Sequence, residues 1–258
     1  MARIRNVEAA LEGFAALDEK ELSAPWRFRD KPMDVRYVLY RTMEDAQEVL
    51  VRLTVLSHPE SRRILALAQR AFGDLRGLLI GLPVDLLDRS PREGEWSIRE
   101  TLRHVIVIEG RYAAQTRYAT ERADSDPMRV ADDKMPTPAR TDVAGDINAI
   151  LARVREARAE TDLRLGSVAP AAMTRPTQWM QYDVDVRFRL HRFAAHVIEH
   201  TVQCEKTLGA LRWPMTEGRR IVRRLTGLLG EIEGLGGHAE ARELEQRLLE
   251  RAGSMAAA

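Results

Sequence analysis

The sequence predicts an all-α protein, a four-helix bundle with additional N- and C-terminal helices. Apolar residues recur at helical spacing through most of the chain, and no series of alternating apolar and polar residues bounded by turn residues competes with them. Four of these patterns are long, about 20 to 28 residues, and two long connections separate them, as in a bundle whose order is not simply up and down. The composition agrees: of 258 residues, 45% are hydrophobic and 31% charged, an ordinary globular balance.

The elements follow in order. A short helical pattern over Val7 to Leu17, a broken segment SAPWRFRDKP and a longer pattern from Asp34 to Leu56 form an N-terminal helical extension, residues 1–57. The bundle is read over residues 58–213. Its first helix opens at a Ser57 to Glu60 capping box and closes at Gly81-Leu82-Pro83, where a glycine and a proline end the pattern. The second, EWSIRETLRHVIVIEGRYAAQTRYATERA, starts at a Ser97 and Glu100 capping box and fades near Ala123. ADSDPMRVADDKMPTPART is rich in Pro, Asp and Thr and reads as a loop before a third helix from Asp142 to Gly166. SVAPAAMTRPTQWMQYD reads as another loop, and the fourth helix runs from Val184 to Leu211, stopped by Trp213-Pro214. Residues 214–258 form a helical tail, with two patterns split at GLGGH and a frayed MAAA end.

Charge and cysteine content limit the function. Lys plus Arg number 40 against 39 Asp plus Glu, a net charge of +1, which gives no global reason to expect a nucleic-acid partner. No apolar run approaches the ~20 residues of a membrane span, and MARIRNVEAALEG lacks the apolar stretch of a signal peptide. The expected location is the cytoplasm. Cys204 is the single cysteine, so no internal disulfide forms, in keeping with a reducing compartment.

The chemistry gathers at HVIEH. On a helix His196 and His200 lie about 40° apart, on one face, at the margin of the apolar stripe formed by Leu190, Phe193, Val197, Thr201 and Leu208. His104 occupies the same kind of margin in the second helix, beside Ile98, Leu102, Val105, Ile108 and Tyr112. Packing the two stripes together would bring three imidazoles to one seam. Imidazole is a preferred ligand for zinc, nickel, copper or iron, and three protein ligands leave a coordination position open for water or substrate. The structural alternative is three histidines hydrogen-bonded at a core margin, and periodicity alone leaves both open.

Neighbouring residues have plainer readings. His-x-x-Glu-His also spells the inverted zinc-peptidase motif, but the chain shows no strand pattern for a peptide-binding edge. Glu199 falls outside the apolar arc and reads as a solvated charge. Cys204 lies about 12 Å of helix rise from His196, too far to share one ion, and reads as a small core residue. Thr207 stands where the histidine-and-cysteine motif of zinc-binding anti-sigma factors needs a second cysteine. Glu100 belongs to its capping box, Trp96 packs at the helix start, and His58, His191 and His238 are surface or structural. The arginines of EGRRIVRRL read as the solvated face of a helix.

EGEWSIRETLRHVIVIEGRY resembles the second helix of the DinB-like family of metal-binding four-helix bundles, in which Trp-Ser-x-x-Glu-x-x-x-His is typical. HVIEHTVQCEKTLGALRW resembles its fourth helix, with His-x-x-x-His followed by Gln. With LPVDLLDRSPREGEW and the first helix, the resemblance spans Glu60 to Trp213; the third helix matches poorly. It implies one divalent metal ion, zinc or nickel foremost, held by His104, His196 and His200. It further implies, for some members, thiol-dependent transferase or isomerase chemistry with a low-molecular-weight thiol cosubstrate (mycothiol, bacillithiol or glutathione) and an electrophile. A metal-dependent hydrolase and a non-catalytic metal-binding or stress-associated module are the alternatives. The exposed apolar stripe of such a bundle is often buried in a homodimer.

Overall fold

A computed structural model describes residues 6–28 and 31–255. The chain runs through α1 (Val7–Ala16), α2 (Glu19–Leu22), β1 (Pro25–Phe28), β2 (Lys31–Asp34), α3 (Val35–Thr54), α4 (Glu60–Leu79), α5 (Val84–Leu87) and α6 (Ile98–Glu121). It continues through α7 (Ile147–Leu165), β3 (Pro176–Trp179), β4 (Tyr182–Asp185), α8 (Val186–Ala210), α9 (Glu217–Gly234) and α10 (His238–Met255). The helical bundle with added helices at both ends is as expected. Arg29 and Asp30 of the broken segment, and all of the terminal MAAA except Met255, lie outside the described residues.

Two expectations need correction. The segments read as irregular, SAPWRFRDKP and TRPTQWMQYD, contain antiparallel hairpins, β1 with β2 and β3 with β4. Four-residue strands carry too little alternation to register as a period. The turn after Trp179 places Met180 at φ 55, a left-handed position usually signalled by Asn or Gly. The Ser57 to Glu60 capping box does not form either. The residue preceding α4 is Pro59, with no side-chain cap, because His58 before the proline is biased to extended backbone and the helix starts after it. Glu60 instead accepts from Arg187 Nε at 2.6 Å.

Two cores flank a seam between α4 and α9. On one side Phe72, Leu75, Leu79, Leu102, Val105, Ile150, Val197 and Leu208 pack α4, α6, α7 and α8 together, continued by Leu65, Leu190 and Phe193. On the other, Leu11, Phe14, Leu39, Val49, Leu225, Ile232, Leu244 and Leu248 join α1, α3, α9 and α10. The two sides are built alike. α8 packs on α4 and α6, and α3 packs on α9 and α10; α7 packs on α4 and α6, and α1 on α9 and α10.

The sequence repeats with them. Asp34-Val35-Arg36 follows the first hairpin as Asp185-Val186-Arg187 follows the second, and each aspartate caps its helix, accepting from Tyr37 N and from Phe188 N at 2.7 Å. The hairpin registers agree as well, Pro25 opposite Asp34 and Pro176 opposite Asp185. Arg62-Arg63-Ile64 of α4 matches Arg219-Arg220-Ile221 of α9, and Gly73 and Gly77 match Gly230 and Gly234. At the crossing a Cβ on Gly73 would overlap the Thr226 carbonyl oxygen, and one on Gly230 would overlap that of Gln69. Gln69 and Thr226 are themselves matched positions, so the contact is reciprocal, as across a two-fold axis.

A buried cation locks the first core. Arg158 of α7, with no exposed surface, donates to Glu109 of α6 at 2.6 Å, to Asp162 at 2.7 Å and to Gln69 of α4 at 3.1 Å. Thr161 Oγ1 also donates to Glu109, at 2.6 Å. Such partners offset the cost of burying a guanidinium.

Two predictions follow from this packing. Gly73→Ala and Gly230→Ala should each destabilise the protein by about 1–3 kcal/mol, because the backbones cannot separate locally without opening the seam; urea midpoints check this, and an unchanged midpoint for both would contradict it. Burial, opposed by Arg158 and reinforced by Glu109, pushes the Asp162 carboxyl from 3.8 up to about 6, with Arg62 and His238 also acting on it. A raised folded-state value means that between about pH 4 and 6 the folded chain keeps a proton the unfolded chain has released. This contribution to stability is full below pH 4 and is lost as pH rises to 6. The stability of wild type relative to Asp162→Asn should therefore fall by on the order of 2 kcal/mol from pH 4 to 6.5, whereas parallel profiles would show that Asp162 titrates normally.

Candidate metal centre

Each histidine is placed by a local sequence device. Ser97 Oγ accepts from Glu100 N at 3.2 Å and Glu100 Oε2 accepts from Ser97 N at 2.8 Å, the reciprocal cap that starts α6 and sets His104 two turns in. Trp96, just outside the helix, rests its ring 5.1 Å from the imidazole. On α8 the hairpin and the Asp185 cap fix the start, and His196 and His200 follow on the face turned toward α6. Both are buried, and His104 is half-buried.

The three imidazoles meet. His196 Nε2 lies 3.2 Å from His104 Nε2 and 3.0 Å from His200 Nε2. Nitrogens sharing one zinc-like ion at ~2.0–2.1 Å in near-tetrahedral geometry stand about 3.3–3.4 Å apart, so the spacing fits an ion with little adjustment. His200 Nδ1 donates to Gln203 Oε1 at 2.8 Å, which leaves the Nε2 lone pair free to face the other two rings. Burial first, then His200 and His104, holds the His196 imidazole down to about 3, and burial with His200 also lowers His104. Neutral imidazole is the form that binds a metal. Among the described residues these histidines are the one group of three or more potential ligand side chains able to hold an ion.

Above them opens a cavity of about 620 Å³. Tyr112 and Trp179 form aromatic walls, Trp179 being carried by β3, and Arg111, Arg129, Arg189 and Arg192 line it with Glu199 and Asp132. Among the described residues no fourth His, Cys, Asp or Glu side chain joins the three nitrogens.

The neighbouring residues fall out as follows. Cys204 is fully buried, and burial pushes its thiol up to about 12, so it is a core residue. Glu199 is exposed, 3.9 Å from Arg192, and borders the cavity. His191 and His238 are exposed, and His58 bonds to Leu53 O at 3.0 Å. The arginines of EGRRIVRRL are a solvated face only in part, since Arg220 and Arg224 are exposed but Arg219 and Arg223 are not. Arg219 is buried over the Trp213 ring and donates to Ile80 O at 3.0 Å, and Arg223 is paired with Asp74 at 2.7 Å and Glu205 at 3.2 Å. They face α4 and α8, which a helical wheel of α9 alone does not reveal.

Sequence reasoning missed the cavity walls. Arg189 and Arg192 stand seven and four residues before His196, a helical spacing that puts them on its face and was available to find them. Arg111, seven residues after His104 on α6, carried the same signal, whereas Arg129 had none, because the loop after α6 brings it over the site.

A family model for the DinB superfamily matches residues 67–204, more than half of the chain and inclusive of all three histidines. No curated protein matches the chain. With that match joined to an open three-histidine cluster able to coordinate a metal, the chain belongs to the DinB superfamily, as a metal-dependent member.

Proposed function

We propose that His104, His196 and His200 are the protein ligands of one divalent ion, zinc or nickel, and that the protein is a thiol-dependent transferase or isomerase. The convergence of three Nε2 atoms at the floor of an open cavity carries the first part. The family resemblance supports the second. A bound divalent cation with an open position lowers the pKa of a thiol or a water and so supplies a nucleophile at neutral pH.

The chain's own residues have definite tasks. Gln203 holds the proton on His200 Nδ1, Trp96 and Tyr112 brace the rings of His104 and His196, and Trp179 with Arg192 stacked over it at 4.7 Å forms one wall of the cavity. The substrates are a low-molecular-weight thiol, such as mycothiol, bacillithiol or glutathione, and an electrophile; Cys204, buried beneath the site, takes no part. No helix among the described residues is long and apolar enough to cross a membrane, and a single cysteine, Cys204, fits a cytoplasmic setting. Exposed Ile198 and Val202 on α8, with Leu67 on α4, offer an apolar surface to a second copy in a homodimer. A hydrolase is the second reading, supported by Glu199 at the cavity edge, where it could take a proton from water.

Chelator-stripped protein should rebind zinc or nickel near one equivalent, and the double variant His196→Ala with His200→Ala should bind none. His104→Ala should keep the helical circular dichroism yet lose about 100-fold or more in metal affinity, since two histidines on one helix lack the third tether; wild-type affinity in that variant removes His104 from the ligand set. Gln203→Leu should cost about 10–100-fold. A screen of the three thiols with model electrophiles then separates the readings. Metal-dependent thiol consumption that disappears in His104→Ala supports the transferase, thiol-independent hydrolysis supports the second reading, and full metal occupancy with neither indicates a non-catalytic module.

A further inference from the structure

Arg158 and Arg189 are both buried guanidiniums, treated differently by the fold. Arg158 has two carboxylates and an amide. Arg189, 5% exposed, donates to the Gln178 carbonyl at 2.6 Å and the Thr116 hydroxyl at 3.3 Å, lies over the Tyr112 ring at 5.7 Å, and has no carboxylate within ion-pair distance among the described residues. Burial, opposed by Tyr112 and added to by the charge of Arg129, draws it down to about 10. An uncompensated buried cation is costly, and this one borders the cavity over the histidines.

The internal repeat supplies a control. Arg189 corresponds to Val38 in the matching helix α3, equally buried, so the hairpin-and-helix unit forms without a cation there. Arg192 does not pass the same comparison. It corresponds to Arg41, and both have a buried Nε with no hydrogen-bond partner and a guanidinium over a ring, so the stacked arginine belongs to the unit and not to the site. Arg129, half-covered at the rim, makes only long contacts, 3.6 Å to Asp132 and 3.5 Å to Met180 O, while Arg111 is committed to Pro136 O at 2.8 Å. The cavity lining thus holds four guanidiniums against Asp132 and Glu199, both exposed.

We propose that the cavity above the three histidines binds a small organic carboxylate, received by Arg189 at its wall and Arg129 at its rim. This deepens the reading of the site given above, by naming the substrate class, and it rests on that reading only for what happens after binding. The carboxylate would supply the counter-charge that Arg189 lacks, in a place where charge-assisted hydrogen bonds are strong. The aromatic walls would cover the organic part.

The test uses the full chain, both metal-free and zinc-loaded, titrated calorimetrically with succinate, with neutral succinamide and with inorganic phosphate. Succinate should bind the metal-free protein, at least tenfold more tightly than succinamide or phosphate. Arg189→Val, which installs the residue of the matching unit, should weaken succinate at least tenfold and leave the melting temperature unchanged or higher. Arg129→Gln, on a surface loop, should weaken succinate severalfold without touching the core. Equal binding of succinate and succinamide, tighter binding of phosphate, or no binding at all would overturn the proposal. So would an Arg189→Val protein with a lowered melting temperature and unchanged succinate affinity, which would make Arg189 a structural tie. Because the decisive titrations use metal-free protein, they stand whether or not the histidines prove to hold an ion.

Discussion

The close approach of α4 and α9 is the constraint on which the rest of the molecule depends. Helices whose side chains interdigitate keep their axes about 8–10 Å apart; here glycines at matched positions let backbone meet backbone. The seam leaves each helix one face for its partner and another for its own core. Leu75 and Leu79 of α4 then turn to α6, α7 and α8, as Leu225 and Ile232 of α9 turn to α1, α3 and α10. An α4 pushed outward by a single methyl would carry Gln69 with it, and so disturb the buried Arg158 that ties α4, α6 and α7.

The histidine cluster lies downstream of that arrangement. Its two helices contribute unequal numbers of ligand side chains, so the site is only as well formed as the relation of α6 to α8. That relation is held at both ends. At one, Trp179 Nε1 of the hairpin leading into α8 donates to the Tyr112 hydroxyl of α6 at 3.3 Å; at the other, Ile98, Leu102 and Val105 of α6 share one apolar cluster with Cys204 and Leu208 of α8. Tyr112 sits between them, with its ring edge-on to both Phe193 and His196. The aromatic side chains of the cavity therefore belong to the same packing that aligns the imidazoles.

Much of this was legible in the sequence. The helices of the bundle, the Ser97 cap and the meeting of His104 with His196 and His200 all follow from periodicity and capping chemistry, which are local or depend on one apolar stripe packing on another. Two kinds of feature were not. The hairpins are too short to show a period, and the left-handed Met180 carries none of the usual turn residues. Arg223 of α9 looked as solvated as Arg220 and Arg224 because a wheel drawn for one helix cannot show Asp74 and Glu205 arriving from its neighbours. The internal repeat was written in Asp-Val-Arg and Arg-Arg-Ile, but its halves are interleaved. Elements matching α7 and α8 precede the bundle and the element matching α4 follows it, so a search for adjacent repeats passes over them.

The repeat also separates what the fold needs from what the site needs. In α3 the position of His196 is taken by Asp45 and that of His200 by Val49; Asp45 is held at 2.8 Å by Arg251 of α10, with Arg247 at 3.9 Å. A guanidinium supplied by the chain thus provides the positive charge on that side. Cap, hairpin register and stacked arginine are common to both units and are accounted for by folding. The histidines and Arg189 occur in one unit alone, and there they border one cavity. A buried imidazole cluster and an unpaired buried guanidinium are both unfavourable in isolation. Their coincidence in the unit that has an open cavity, and their replacement by an internal ion pair and a valine in the other, is the pattern expected of residues retained for what they bind.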